Sequence, residues 1–164
     1  MARIADRARA ATRPGDLVVA SIHWGGNWGY DIPAQQTRFA HRLIDRAGFD
    51  VVHGHSSHHP KGIEIYRDRP ILYGCGDFLN DYEGIAGYEA FRDDLVLMFF
   101  LTMQASHGTL TRLTMVPLQI RNFRLNRASP ADAAWLRDTL NREGGKFGTR
   151  VRLEADNALT LAWA

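Results

Sequence analysis

Leu17-Val18-Val19-Ala20-Ser21-Ile22-His23 and Phe49-Asp50-Val51-Val52-His53-Gly54-His55 are two short apolar runs that end in histidine, and the segment between them decides the fold. From Pro33 to Arg46 the residues Phe39, Ala40, Leu43 and Ile44 recur at three-to-four spacing. Ala47 extends the pattern and Gly48 supplies the C-terminal stop, as expected of a helix with one apolar face. Strand, helix, strand in this order predicts a right-handed parallel crossover. Both strands then point their C-terminal ends the same way, so His23 and His55 emerge at one edge of the sheet. The first run is almost continuously apolar, which predicts a strand covered on both faces. Between it and Pro33, the stretch Trp24 to Ile32 holds three glycines, two tryptophans, a tyrosine and an aspartate without periodicity. It reads as a loop able to wall a pocket.

Working outward, Ala2 to Thr12 has helical composition and stops at Pro14-Gly15-Asp16, a breaker pair and a turn former. Gly62-Ile63-Glu64-Ile65-Tyr66 and Pro70-Ile71-Leu72-Tyr73-Gly74 flank a turn at Arg67-Asp68-Arg69 and form a hairpin, with Gly74 to Phe78 breaking its second strand. Leu95 to Gln104 and Thr109 to Ile120 predict two long strands around His107-Gly108, and Arg121 to Asn126 extends them as a third. Ser129-Pro130 places a capping residue before a proline at the first helical position, and Ala133 to Arg142 continues as a helix stopped by Gly144-Gly145. Arg150 to Glu154 and Ala158 to Trp163 close as a hairpin. The class is α/β, a mixed sheet with a parallel βαβ unit followed by antiparallel strands, in one domain over residues 1–164.

Composition excludes several functions. At 164 residues and 45% hydrophobic the chain can bury a real core. Twenty basic residues against eighteen acidic ones give a formal charge of +2, with arginines dispersed among acids, so no nucleic-acid footprint is expected. The lone Cys75 rules out an intrachain disulfide and a cysteine-based zinc motif. No stretch approaches the roughly 20 apolar residues of a membrane span, and Met1 to Arg13 lacks the apolar core of a signal peptide. A cytoplasmic location is the default expectation.

The chemistry is carried by histidines. A neutral imidazole offers one nitrogen lone pair to Zn, Mn or Fe, and ligands at strand ends are held by the sheet behind them. His23, His55 and His58 are therefore the candidate metal ligands, with Gly54 expected to let the backbone turn tightly beneath the ion. His41 on a helix and His107 in a turn read as structural, and His53 and His59 lean the same way. Asp77, Asp81 and Glu83 read first as a solvated turn, with a role beside the metal or substrate as the sharper alternative. Trp24, Trp28 and Tyr30 fit either a ligand cover or core packing. Cys75 reads as a small buried residue, since no helix start or partner base accompanies it.

Val18 to Gly25, Ala40 to Asp45, and Gly48-Phe49-Asp50-Val51-Val52-His53-Gly54-His55-Ser56-Ser57-His58 together resemble the C-terminal half of the CapA family, named for poly-gamma-glutamate capsule synthesis. The similarity continues through Gly62 to Tyr66 and Pro70 to Phe78, and covers about Asp16 to Leu79 well. The resemblance implies the calcineurin-like metallophosphatase superfamily, a four-layer alpha/beta/beta/alpha sandwich with two divalent ions (Mn, Zn or Fe). It implies that His23 and His55 hold one ion and His58 the other. Trp24, Asn27, His53, His59 and Asp77 are candidates for places beside the ions or the substrate. Two departures stand out. Asp77 occupies a place where the family carries Asn, and the family's aspartate-containing metal motifs belong to an N-terminal half with no counterpart here. The resemblance thus implies a C-terminal fragment of a larger domain, whose missing N-terminal half is its first partner. Metal-dependent phosphoester hydrolysis or a role in capsule synthesis is implied for the whole, with the fragment alone inactive. The alternative is a non-catalytic scaffold in a capsule polymer synthesis or export complex, which would place it at the cell envelope.

Overall fold

The computed structural model describes residues 1–81, 83–104 and 106–164. Helix α1 spans Ala2–Ala11, β1 Val19–His23, α2 Ala34–Ala47 and β2 Val51–His55, so the predicted strand-helix-strand unit is present. β1 and β2 pair in parallel, and β2 pairs in parallel with β4 (Arg69–Leu72), which is antiparallel to β3 (Ile63–Tyr66). Arg67 and Asp68 both take positive φ, 50° and 62°, the mirror-image turn whose twist suits a two-residue hairpin. Among the described residues this gives a mixed sheet in the order β1-β2-β4-β3.

The later chain builds a second, antiparallel sheet in the order β5-β6-β9-β8, from β5 Leu95–Gln104, β6 Thr109–Arg121, β8 Arg150–Leu153 and β9 Leu159–Ala162. The short β7, Arg124–Arg127, pairs with the end of β6. Helix α3, Pro130–Gly144, is capped by Ser129, whose side chain accepts from the Asp132 backbone N–H. The α-helix stops at the two glycines, as the sequence suggested, but the chain goes on winding. Gly145 is right-handed and opens a 3-10 turn to Phe147, and Gly148, with φ of 72°, ends the segment.

Packing follows the side-chain periods. Ala40, Leu43 and Ile44 of α2 lie against Ala20, Val52 and Ile71 on one face of the mixed sheet. Leu95, Leu97, Leu113 and Met115 of the second sheet meet Ile63 and Leu72 of the first, joined by Leu136 and Leu140 of α3. Glu64 is buried. It accepts a 2.6 Å hydrogen bond from Tyr73 Oη and lies 2.8 Å from His41 Nε2, which ties α2 to the hairpin and gives His41 its structural role. One expectation fails. β1 is not covered on both faces, because Leu17 and Val19 remain 40% and 55% exposed on the side away from α2.

Candidate metal centre

The register of β1 and β2 places the first two imidazoles. Val19, Ser21 and His23 stand opposite Val51, His53 and His55, and the alternation of a strand puts all six on one face of the sheet. That face is the one turned from α2. The rings of His23 and His55 lie edge to face with centroids 5.4 Å apart, and His53 is 5.6 Å from His55. Burial, and then the neighbouring His55, push the His53 imidazole down from its ordinary pKa, so it stays neutral at neutral pH.

Gly54 has a different task from the one expected. It sits inside β2 between the two histidines, and no turn occurs there. A side chain would run into Trp24 Nε1 and into the carbonyl oxygens of Leu72 and Tyr73, 2.8 and 2.7 Å from where a Cβ would sit. Trp24 fills the space instead, donating a 3.0 Å hydrogen bond from Nε1 to the Tyr73 carbonyl and stacking on the Tyr73 ring. It therefore lies on the helix side of the sheet, opposite His23.

His58 comes from the loop after β2. Its backbone N–H donates to the Asn27 carbonyl at 3.1 Å, and Ser56 Oγ donates to Gly25, so the two loops predicted to border the site are tied together. The exposed Asn27 enters through its backbone. His58 Nδ1 lies 2.9 and 3.0 Å from the two carboxylate oxygens of Asp77, which also accepts from Asn80 Nδ2 at 3.0 Å. A carboxylate on Nδ1 keeps the proton there and puts the lone pair on Nε2, the arrangement common to metal-binding imidazoles. Asp77 is presented between two left-handed residues, Gly76 and Phe78.

His59 is enclosed. It is 0% exposed, packed among Trp28, Tyr30 and Phe91 at centroid distances of 6.1, 4.6 and 4.8 Å. Its Nδ1 donates to the Pro60 carbonyl at 3.2 Å, and burial pushes its pKa down to about 4. Trp28 in turn stacks on Tyr88 at 4.1 Å and lies 5.1 Å from His58. Tyr88 and Phe91, around the 3-10 turn Glu89–Phe91, were missed in the sequence because nothing local marks a segment that packs on a loop 60 residues earlier.

Among the described residues, no three His, Cys, Asp or Glu side chains gather in a way that could hold a metal ion. The donor types themselves are ones that suit a divalent ion. His53, His55 and Asp77 also line a groove whose remaining walls are largely apolar.

The family described as bacterial capsule synthesis protein PGA_cap matches residues 1–82, half of the chain. The chain belongs to this capsule synthesis family. A Mycobacterium tuberculosis protein named as a probable polyglutamine synthesis accessory protein is 52% identical over 158 residues, covering 96% of this chain and 41% of its own length. The PGA biosynthesis protein CapA of Bacillus subtilis is 31% identical over 121 residues, covering 74% of this chain and 28% of that protein. The capsule biosynthesis protein CapA of Bacillus anthracis is 30% identical over 106 residues, 65% of this chain and 24% of that one. This capsule-family chain thus spans about two fifths of the length of its Mycobacterium relative. No helix among its described residues is long and apolar enough to cross a membrane.

Proposed function

We propose that the chain supplies the histidine side of a two-metal phosphoester-hydrolysing centre within a capsule or poly-glutamate synthesis protein, and that it is inactive alone. The observation that carries this reading is the register pair His23 and His55 on parallel strands; His58, held through Nδ1 by Asp77 in the loop after β2, is the third candidate. His23 and His55 would bind one divalent ion through imidazole nitrogen and His58 the second through Nε2. Two such ions, when bound, supply Lewis acidity toward a phosphoryl group and an activated water. The remaining ligands and the general acid would come from outside this chain.

The test uses bis-p-nitrophenyl phosphate with Mn or Zn. The chain alone is expected to turn over poorly or not at all, whereas a complex with the N-terminal part of the Mycobacterium relative is expected to bind two ions and hydrolyse the ester. Robust turnover by the chain alone, abolished in His55→Ala, would overturn the incompleteness. That no three ligands converge among the described residues leaves a second reading, a non-catalytic scaffold in a polymer-synthesis or export complex. That reading prevails if replacing all three histidines changes neither metal content nor stability of the complex.

A further inference from the structure

Arginines that are scattered along the sequence are gathered by the fold onto one layer. Helix α1 packs along α2, and Met1 at its start joins the core between α2 and the mixed sheet, so both helices cover the same side of that sheet. Together they carry six arginines and two aspartates, a formal charge of +4 with His41 neutral, where the whole chain has +2. Both aspartates are taken. Asp6 pairs with Arg9 of its own helix, and Asp45 with Arg67 of the β3–β4 turn at 3.0 Å. Arg3, Arg7, Arg38, Arg42 and Arg46 remain, all exposed and none in an ion pair among the described residues.

Their spacing is regular. Arg38, Arg42 and Arg46 follow one another at four-residue intervals, opposite the buried Ala40, Leu43, Ile44 and Ala47 of α2, and Arg3 and Arg7 repeat the interval on α1. Like charges at this interval oppose helix formation, and neither helix has an acidic residue in its first turn to offset them. Helix stability therefore does not account for the row. Arg42 uses only Nε locally, donating to the Arg38 carbonyl at 3.3 Å. A guanidinium group recognises a carboxylate through two parallel N–H donors. Successive arginines of α2 advance about 6 Å along the axis, and an extended polypeptide brings alternate side chains to one side at intervals of about 6.6 Å. No aromatic side chain of either helix is exposed, so the stacking that holds single-stranded nucleic acid has no platform here. Ile4 is the single large apolar side chain exposed on the two helices, short of the apolar face that an interfacial helix buries in lipid.

We propose that the solvent face of α1 and α2 binds an acidic polypeptide in extended form, whose alternate carboxylates meet Arg38, Arg42 and Arg46, with Arg3 and Arg7 holding the flanking residues. This face lies on the side of the mixed sheet turned from His23 and His55. The binding goes beyond the metal reading and does not depend on it.

Fluorescence anisotropy of labelled poly-L-glutamate tests it. The chain should bind this probe saturably, and Arg38→Gln/Arg42→Gln/Arg46→Gln should weaken binding at least tenfold. Arg112→Gln/Arg150→Gln/Arg152→Gln removes the same charge from exposed positions on the second sheet and should change it less than twofold. Equal loss in the two variants would mean attraction to net charge alone and overturns the proposal, as does a failure to bind at low salt. Glutamine keeps the helix propensity of arginine, so relief of the like-charge pairs should leave the urea midpoint of the first variant at or above the parent's. A lower midpoint would assign the row to folding instead. Equally tight binding of a DNA oligonucleotide or of phosphatidylglycerol vesicles, lost in the same variant, would replace the acidic polypeptide by that partner. A His23→Ala/His55→Ala/His58→Ala variant should bind poly-L-glutamate as the parent does, which separates this proposal from the metal reading; loss of binding there would move the site to the imidazoles and refute it.

Discussion

His58 and His59 are neighbours in the chain and opposites in circumstance. His58 holds its Nδ1 against Asp77, while His59 is wholly buried among three aromatic rings. The cluster His53 to His59 is legible in the sequence as a concentration of imidazole, but which ring is packed and which is oriented by a carboxylate depends on Phe91 and Asp77, far along the chain. His59 yields a pH prediction. An imidazole ordinarily titrates at 6.5, and burial lowers His59 to about 4. As pH falls the unfolded chain binds this proton first, so stability is fully present above 6.5 and is lost between 6.5 and about 4. The loss reaches about 3 kcal/mol. In urea unfolding, His59→Phe should show a smaller drop between pH 7 and pH 4.5 than the parent. An identical drop in both proteins would refute the assignment.

At the scale of elements, the βαβ unit follows directly from local pattern. α2 ends at Gly48 with φ of 72° and β2 begins three residues later, as the apolar spacing and the glycine stop require. The pattern of β1 was misread for a physical reason. A continuous apolar run says that both faces avoid water in the finished protein, and cannot say which polypeptide covers them; here one face is uncovered by this chain. Gly54 was likewise misread as a turn glycine, because a sequence does not show Trp24 crossing beneath the strand. Gly54→Ala is expected to destabilise the fold by about 3 kcal/mol, since backbone carbonyls oppose the new methyl and cannot retreat. Chemical denaturation would reveal it, and a variant of parental stability would show that β2 has slack.

Across the whole molecule, one small side chain links distant parts. Thr149, 2% exposed, donates from Oγ1 to the Ile63 carbonyl at 2.8 Å and lies 3.2 Å from the Gly144 carbonyl. It joins the end of α3 to the edge of the mixed sheet. Thr149→Val keeps the shape and removes the donor, so it should cost about 1–2 kcal/mol in urea unfolding. No change would mean that α3 is held by Leu136 and Leu140 alone. Local periodicity, caps and turn residues were enough to determine the α/β class, the order of the elements and the parallel placement of His23 and His55, because each is set by neighbours within a few residues. Tertiary structure alone decided that Asp77 meets His58, that His59 is core, that Trp24 lies behind the sheet and that α3 joins the core between the two sheets. Those outcomes rest on contacts between residues tens of positions apart, which only the packing of the two sheets brings together.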